Sequence, residues 1–131
     1  MRRVLIDTNI YSAFKTNDSA VVEVFRHVDY IGIDLTVYGE LLAGFKLGSR
    51  EKENLRELEM FVNTSRVELI LHSVETAVFY AKIFKDLKTS GKPIPTNDIW
   101  IAATAMEHGL ALMTYDKHFT TIPGLMLKDA G

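Results

Sequence analysis

Residues 4–9 read Val4-Leu5-Ile6-Asp7-Thr8-Asn9, an apolar run that ends in three polar residues suited to a turn or a helix cap. Because the apolar run is continuous rather than alternating, it predicts a strand that is covered on both faces. The polar residues after it predict the start of a helix. The chain is therefore expected to open with a strand that ends on the carboxylate of Asp7 and leads directly into a helix.

The same alternation of strand and helix continues along the chain. Short apolar runs predict further strands at residues 31–35, 67–71, 110–114 and 125–127. Cap residues and helical spacing predict helices at residues 18–28, 37–45, 50–61, 73–90 and 97–108. This order indicates an α/β fold with a mainly parallel central sheet of four to five strands and helices on both faces. We expect a single domain that covers residues 1–131.

Two local expectations follow from the helix patterns. Thr36 is expected to cap the helix at residues 37–45, since threonine readily accepts hydrogen bonds from the first turn. In the long helix that begins at Ser73, helical spacing predicts the face that packs on the core. That face consists of Val74, Ala77, Val78, Ala81, Phe84 and Leu87.

Composition excludes several classes of site. Hydrophobic residues make up 47% and charged residues 24% of the chain, the mix of an ordinary globular domain. There is no cysteine, which excludes disulfides, thiolate zinc sites and cysteine nucleophiles and fits a reducing, cytoplasmic location. We expect neither a signal peptide nor a membrane segment, since no apolar run approaches ~20 residues. The net charge of −2 gives no global sign of nucleic-acid binding.

Four acidic residues, Asp7, Glu40, Asp98 and Asp116, follow predicted strands or begin predicted helices. Singly they are also explained as helix caps, turn formers or surface residues. Ligands of parallel sheets bind beyond the carboxyl ends of the strands, so the four side chains can meet there. Clustered carboxylates repel one another unless a cation is bound, and oxygen ligands suit magnesium or manganese, with calcium as a further possibility. The sequence therefore predicts a metal centre able to hydrolyse phosphodiester bonds.

The histidines are not expected to contribute to this centre. They show no spacing typical of metal ligands, and His108 is explained as the last residue of a helix. The chain contains His27, His72, His108 and His118. The predicted ligand set is therefore made of carboxylate oxygens alone.

Four segments of the chain, taken in order, carry a family resemblance. Residues 4–10, 36–44, 96–105 and 113–119 read VLIDTNI, TVYGELLAG, TNDIWIAATA and MTYDKHF. Each contains one of the four acidic residues. In this order, and over nearly the whole length, the segments resemble those of the PIN-domain ribonucleases, and specifically the VapC-type toxins of toxin–antitoxin pairs.

The resemblance implies a metal-dependent endoribonuclease whose four acidic residues bind Mg²⁺ or Mn²⁺ and whose metal-activated water cleaves RNA. It implies that Thr8, Asn9 and Thr114 orient the carboxylates or the metal-bound water. It also implies a cognate antitoxin protein that covers the acidic pocket, and a toxin homodimer. Of two basic clusters, residues 46–56 and 82–92, the first follows the Glu40 helix, so Lys46 and Arg50 are the preferred candidates for contacts to the RNA backbone. Both clusters are also explained as solvated helix faces.

Two rival interpretations remain open. A phosphohydrolase of the haloacid-dehalogenase type also has an aspartate after its first strand, but it carries a second acid two residues later, where this chain has Asn9. A PIN-like binding module without activity is the other rival, although all four acids are present. A dinucleotide-binding role is excluded, because no glycine-rich turn follows the first strand.

Overall fold

The elements alternate along the chain as the sequence predicts. The structure, a computed structural model, describes residues 2–129. Its strands are β1 (Arg3–Ile6), β2 (Tyr30–Asp34), β3 (Val67–Ile70), β4 (Ala111–Met113) and β5 (Leu127–Lys128). Its α-helices are α1 (Thr8–Lys15), α2 (Ser19–His27), α3 (Leu35–Leu47), α4 (Glu51–Val62), α5 (Val74–Ser90) and α6 (Thr96–Glu107), and a 3₁₀ helix spans Lys117–Thr121.

The strands form one parallel sheet in the order β3-β2-β1-β4-β5. Val4 of the central strand lies opposite Ile31 of β2 and Ala111 of β4. The chain moves outward from β1 to β3 and then crosses back to β4. Since such crossovers are right-handed, the reversal places α1–α4 on one face and α5–α6 on the other. The predicted α/β class, parallel sheet and two helical layers are confirmed.

Each face of the sheet has its own packing. On one face, aromatic rings of α1, α2 and α4 form a cluster in which Phe14 lies 4.9 Å from Phe25 and 5.5 Å from Phe61, centroid to centroid. On the other face, α6 buries Ile101 and the small Ala102 and Ala103 completely. Small side chains let a helix approach the sheet closely, so α6 is held rigidly. Functional groups on its first turn are therefore fixed relative to the strands.

The end of β2 differs from the expectation. Helix α3 begins at Leu35, and the carboxylate of Asp34 caps it by accepting a hydrogen bond from the backbone N–H of Thr36 at 2.8 Å. The prediction that Thr36 is the cap was wrong, because the strand ends one residue earlier and its last residue supplies a carboxylate to the first turn. Asp34 is completely buried.

The predicted inner face of α5 was also wrong. Val74, Val78 and Phe84 are 80%, 57% and 46% exposed, and of the predicted face only Leu87 is buried. The helix instead packs through Thr76, Ile83 and Leu87. Apolar residues surround most of this helix, so helical spacing alone offered two inner faces. The buried one includes Thr76, whose hydroxyl completes the capping box with Ser73 and donates to Glu107 of α6 at 2.6 Å.

No helix within residues 2–129 is both long enough and apolar enough to cross a membrane.

Candidate metal centre

The carboxyl ends of β1 and β4 carry the first part of the site. Asp7 follows β1 and caps α1, and Asp116 caps the 3₁₀ helix that follows β4. The hydroxyl of Thr114 donates to Asp7 Oδ2 at 2.7 Å and accepts the backbone N–H of Asp116 at 3.0 Å. The two strands are neighbours at the position where the chain reverses direction across the sheet, the usual place for a ligand crevice.

Asp7 is the most buried acid of the site, with 5% of its surface exposed. Burial raises the pKa of its carboxyl, and the nearby charges of Asp98 and Glu40 raise it further. Hydrogen bonds from Thr114 and from the Thr8 backbone act in the opposite direction without cancelling the effect. No ion pair within residues 2–129 involves Asp7 or Glu40. The negative charge at Asp7 is therefore poorly compensated in the metal-free chain.

Glu40 reaches the same edge of the sheet from the second turn of α3. One of its carboxylate oxygens accepts a hydrogen bond from the Thr8 hydroxyl at 2.5 Å. The other accepts from the Asn97 side-chain amide at 3.3 Å. These bonds fix Glu40 between the start of α1 and the start of α6. Asn97 was not among the expected site residues, and only its position beside Asp98 could have indicated it.

Asp98 lies in the first turn of α6 and contacts a histidine. His118 Nε2 is 2.5 Å from Asp98 Oδ2, and His118 Nδ1 is 3.0 Å from Asp116 Oδ1. Burial raises the pKa of the Asp98 carboxyl, as do the charges of Asp116 and Glu40, whereas contact with His118 lowers it. The carboxylate and imidazole ligand atoms of this trio all lie within 4.8 Å of one another.

His118 was missed from the sequence. The signal that could have indicated it is the Asp116-x-His118 spacing, because a 3₁₀ helix that begins with Asp116 as its cap brings a side chain two residues later back toward that cap. The expectation that only carboxylate oxygens line the centre was therefore incomplete.

The remaining expected residues fall into two groups. Asn9 belongs to the centre, since its amide nitrogen lies 3.5 Å from Asp7 Oδ2 and its oxygen accepts the backbone N–H of Tyr115 at 3.1 Å. Lys46 is in the last turn of α3 and Arg50 directly precedes α4, and these two residues pair with Glu51 and Glu53. Lys46 lies six residues after Glu40, or about 9 Å along the helix axis.

The donor set fits a divalent cation. Among the described residues, only Asp98, Asp116 and His118 bring three ligand atoms within 4.8 Å of one another. Asp7 and Glu40 are joined through Thr8, whose backbone N–H donates to Asp7 and whose hydroxyl donates to Glu40. The charge of Glu40 is near enough to raise the pKa of both Asp7 and Asp98. Hard oxygen donors in this number suit Mg²⁺ or Mn²⁺. The raised pKa values of Asp7 and Asp98 also indicate carboxylates whose ionisation a bound cation would favour.

Similarity to known proteins extends over nearly the whole chain. The family model described as PIN domain matches residues 4–125. The chain belongs to the PIN-domain family. Ribonuclease VapC2 of Rickettsia felis is 31% identical to this PIN domain over 95% of the chain and 96% of the relative. Ribonuclease VapC4 of Mycobacterium tuberculosis is 27% identical over 94% of the chain and 93% of the relative.

Solved structures agree with this assignment. The DNA-bound VapBC of Salmonella typhimurium matches the PIN domain with a TM-score of 0.88 and 26% identity, covering 100% of both chains. VapBC2 of Rickettsia felis, bound to a fragment of promoter DNA, matches with a TM-score of 0.87 and 26% identity over 97% of this chain and 98% of that one. The expected membership of the PIN-domain family and its VapC-type branch is confirmed.

Proposed function

We propose that this PIN domain, over residues 1–131, is a metal-dependent endoribonuclease and the toxin of a toxin–antitoxin pair. The observation that supports the proposal is that Asp7, Glu40, Asp98 and Asp116 all lie at the carboxyl edge of the sheet, where Asp98 and Asp116 share contacts with His118, and Asp7 and Glu40 are joined through Thr8. Chains named as VapC ribonucleases share nearly its whole length. The Asn9 side chain argues against a haloacid-dehalogenase-type phosphohydrolase, and the complete set of acids argues against an inactive module.

In this proposal, Mg²⁺ or Mn²⁺ is held by the four carboxylates. A bound ion supplies Lewis acidity and lowers the pKa of an attacking water. Thr114 and Asn9 keep Asp7 oriented from the β4 side, and Thr8 does the same for Glu40. Because Asp98 sits on the rigid helix α6 and Asp7 directly after β1, the two carboxylates would hold a cation in a fixed place, and the anionic scissile phosphate would be positioned by that cation.

The partners follow from the same assignment. Solved relatives are described as VapBC complexes, among them one from a family of toxin–antitoxin systems and one bound to promoter DNA. We propose that this PIN domain binds a cognate antitoxin protein that covers the acidic crevice, forms a homodimer, acts on RNA and works in the cytoplasm.

The decisive test replaces Asp7 or Asp98 by asparagine. Each change removes one metal-binding charge while preserving size and capping ability, so we expect RNA cleavage in Mg²⁺ or Mn²⁺ to fall by more than about 100-fold with the circular dichroism spectrum unchanged. Asp86→Asn on the surface of α5 is the matched control and should cleave as wild type does.

Assays against RNA and against a phosphomonoester, with and without EDTA, separate the rivals. Cleavage of the monoester alone would support the phosphohydrolase, and no cleavage of any RNA by the wild-type chain would support the inactive module. Wild-type rates of RNA cleavage in both Asp7→Asn and Asp98→Asn would refute the proposed centre.

The role of Lys46 and Arg50 in RNA binding stays a separate proposal. Replacing both by glutamine should weaken RNA binding and reduce the salt dependence of the affinity by about one unit of log–log slope per lost phosphate contact. The matched control replaces Lys82 and Lys85 of α5. Since Lys46 and Arg50 are paired with Glu51 and Glu53, an unchanged affinity and slope would assign them to the stability of the α3–α4 junction instead.

A further inference from the structure

We propose that His118 is a nitrogen ligand of the metal ion, binding through Nε2 beside Asp98, while Asp116 holds the ring from its other side. The inference rests on the proposed function, since it concerns the same ion. It adds a ligand of different chemistry to a centre otherwise made of carboxylates.

The contacts of the ring support this arrangement. Nε2 faces Asp98 Oδ2 at 2.5 Å, and Nδ1 faces Asp116 Oδ1 at 3.0 Å. A histidine that binds a metal through one nitrogen usually donates its other N–H to a carboxylate, which fixes the tautomer and the ring orientation. Here Nδ1 lies 3.0 Å from Asp116 Oδ1, a contact that a small rotation of the ring would align for donation from Nδ1–H, and Nε2 points toward Asp98.

The backbone around His118 holds the ring in reach of the ion. Asp116 Oδ1 accepts the backbone N–H of His118 at 3.2 Å, and the His118 carbonyl accepts the Thr121 hydroxyl at 2.9 Å. The next residue, Phe119, is completely buried and anchors the 3₁₀ helix in the core. The His118 side chain itself remains 35% exposed. The segment is therefore fixed, while the ring retains room for a small adjustment.

The adjustment required is small. Ligands on adjacent corners of an octahedron with bonds of about 2.1 Å lie roughly 3 Å apart. At present Nε2 lies 2.5 Å from Asp98 Oδ2. For both atoms to bind one ion, this distance would have to increase by about half an ångström. A change of this size is within the reach of side-chain rotation at a partly exposed residue.

A nitrogen ligand changes the preference of the centre among metals. Carboxylates suit both Mg²⁺ and Mn²⁺, whereas imidazole adds affinity for transition metals and little for Mg²⁺. We therefore expect His118 to favour Mn²⁺ over Mg²⁺. Removal of the imidazole should lower Mn²⁺ affinity by about tenfold or more and leave Mg²⁺ affinity nearly unchanged.

Pulsed electron paramagnetic resonance of bound Mn²⁺ gives the direct readout. Wild-type protein loaded with one equivalent of Mn²⁺ should show coupling of the manganese electrons to ¹⁴N. His118→Gln should lose that coupling, and His108→Gln should keep it. His108 is the matched control because its Nε2 also contacts a carboxylate, Glu107, at 3.4 Å, away from the four acids. Competition of Mg²⁺ against Mn²⁺, measured in the same samples, reports the change in preference.

The outcomes separate this inference from the proposed function. Absence of ¹⁴N coupling in the wild type, or its persistence in His118→Gln, overturns the role of His118. If Asp7→Asn still abolishes Mn²⁺ binding and RNA cleavage in that case, the proposed ribonuclease centre is supported without His118 as a ligand. If the wild-type chain neither binds Mn²⁺ nor cleaves RNA, both fail together.

Discussion

At the scale of single residues, a second buried carboxylate, Asp34, connects several elements near the proposed metal centre. Asp34 is completely buried and accepts hydrogen bonds from the Thr36 N–H at 2.8 Å, from the Thr104 hydroxyl at 2.5 Å and from His72 Nε2 at 2.7 Å. These partners belong to α3, to α6 and to the segment that follows β3. Asp34 therefore connects three elements, two of which carry acids of the proposed metal centre.

We expect Asp34→Ala to destabilise the domain by roughly 3 kcal/mol, because it leaves buried hydrogen-bonding groups unpaired and removes a helix cap. The comparison is Asp18→Ala, which removes the cap of α2 and a hydrogen bond from the exposed Tyr115 hydroxyl and should cost less. Urea unfolding of both variants measures the difference in the free energy of unfolding. Equal losses would mean that burial adds nothing to the contacts of Asp34 with His72 and Thr104.

The role of a residue could be predicted from the sequence where its contact partners are close to it along the chain. Asp7 was predictable because a strand and a helix meet at it within a few residues. The roles of Asp34 and His118 were not, since their partners lie up to 70 and 20 residues away. Such pairings arise only once α6 is packed on the sheet. The sequence pointed to the four acids and to the nearby Thr8, Asn9 and Thr114, but not to Asn97, His118 or the contacts of Asp34.

At the scale of elements, β2 contains a glycine whose replacement would force neighbouring side chains to shift. A Cβ atom on Gly32 would lie 2.8 Å from Ile70 Cδ1 and 3.1 Å from Leu5 Cδ1. Both neighbours are buried ends of side chains on the flanking strands. The absence of a side chain on Gly32 lets these three strands share one closely packed layer.

We expect Gly32→Ala to destabilise the domain by about 1–3 kcal/mol through overpacking. Gly44 of α3 is the matched control, since a Cβ there meets nothing within 4 Å and alanine is the better helix former. Gly44→Ala should raise stability by up to about 1 kcal/mol. Thermal unfolding of the pair would contradict the packing argument if both substitutions shifted the midpoint in the same direction.

In helix α5, the spacing of the apolar residues does not indicate which face packs on the core. Its residues are apolar on more than one side, so the spacing that indicated Val74, Val78 and Phe84 equally allowed Ile83 and Leu87. The capping box of Ser73 and Thr76, together with the bond from Thr76 to Glu107, turns the second face inward. Element type was predictable here because it depends on local signals. Orientation was not, because it depends on a contact with α6.

At the scale of the whole molecule, the parallel sheet order explains why distant acids become neighbours. The strands β1 and β4 are separated by more than a hundred residues yet pair directly, Ile6 with Met113. The alternation of strands and helices predicted the class of fold, and the rule that ligands bind at carboxyl ends predicted the edge. The strand order itself was not predicted, since nothing local in the sequence specifies which strands pair.

The clustering of acids should make the stability of the whole molecule depend on pH and on metal. The pKa of Asp7 is raised in the folded chain above its ordinary value of 3.8, mainly by burial. A raised carboxyl pKa favours the folded state below the ordinary value, and this contribution is lost as the pH rises through the folded pKa. In EDTA at neutral pH, Asp7→Asn should therefore be more stable than wild type, and the gap should close as the pH falls toward 4.

Asp18→Asn should behave in the opposite way. The pKa of Asp18 is lowered, chiefly by the hydrogen bond from the Tyr115 hydroxyl, so its charge stabilises the folded state above the ordinary carboxyl range. Its loss should destabilise the metal-free domain at neutral pH, with the effect vanishing in acid. Urea unfolding of wild type, Asp7→Asn and Asp18→Asn in EDTA between pH 4 and pH 8 measures whether each substitution raises or lowers the free energy of unfolding.

Addition of Mn²⁺ at about 100 times its dissociation constant should then stabilise wild type by about 2.7 kcal/mol and Asp7→Asn by much less. Asp7→Asn would then be more stable than wild type in EDTA and less stable than wild type in Mn²⁺. This reversal is expected if the carboxylates bind a cation. An Asp7→Asn variant that is less stable than wild type in EDTA, and equally stabilised by Mn²⁺, would mean that Asp7 serves mainly as the cap of α1. The fold would then hold the four acids together for a reason other than metal binding.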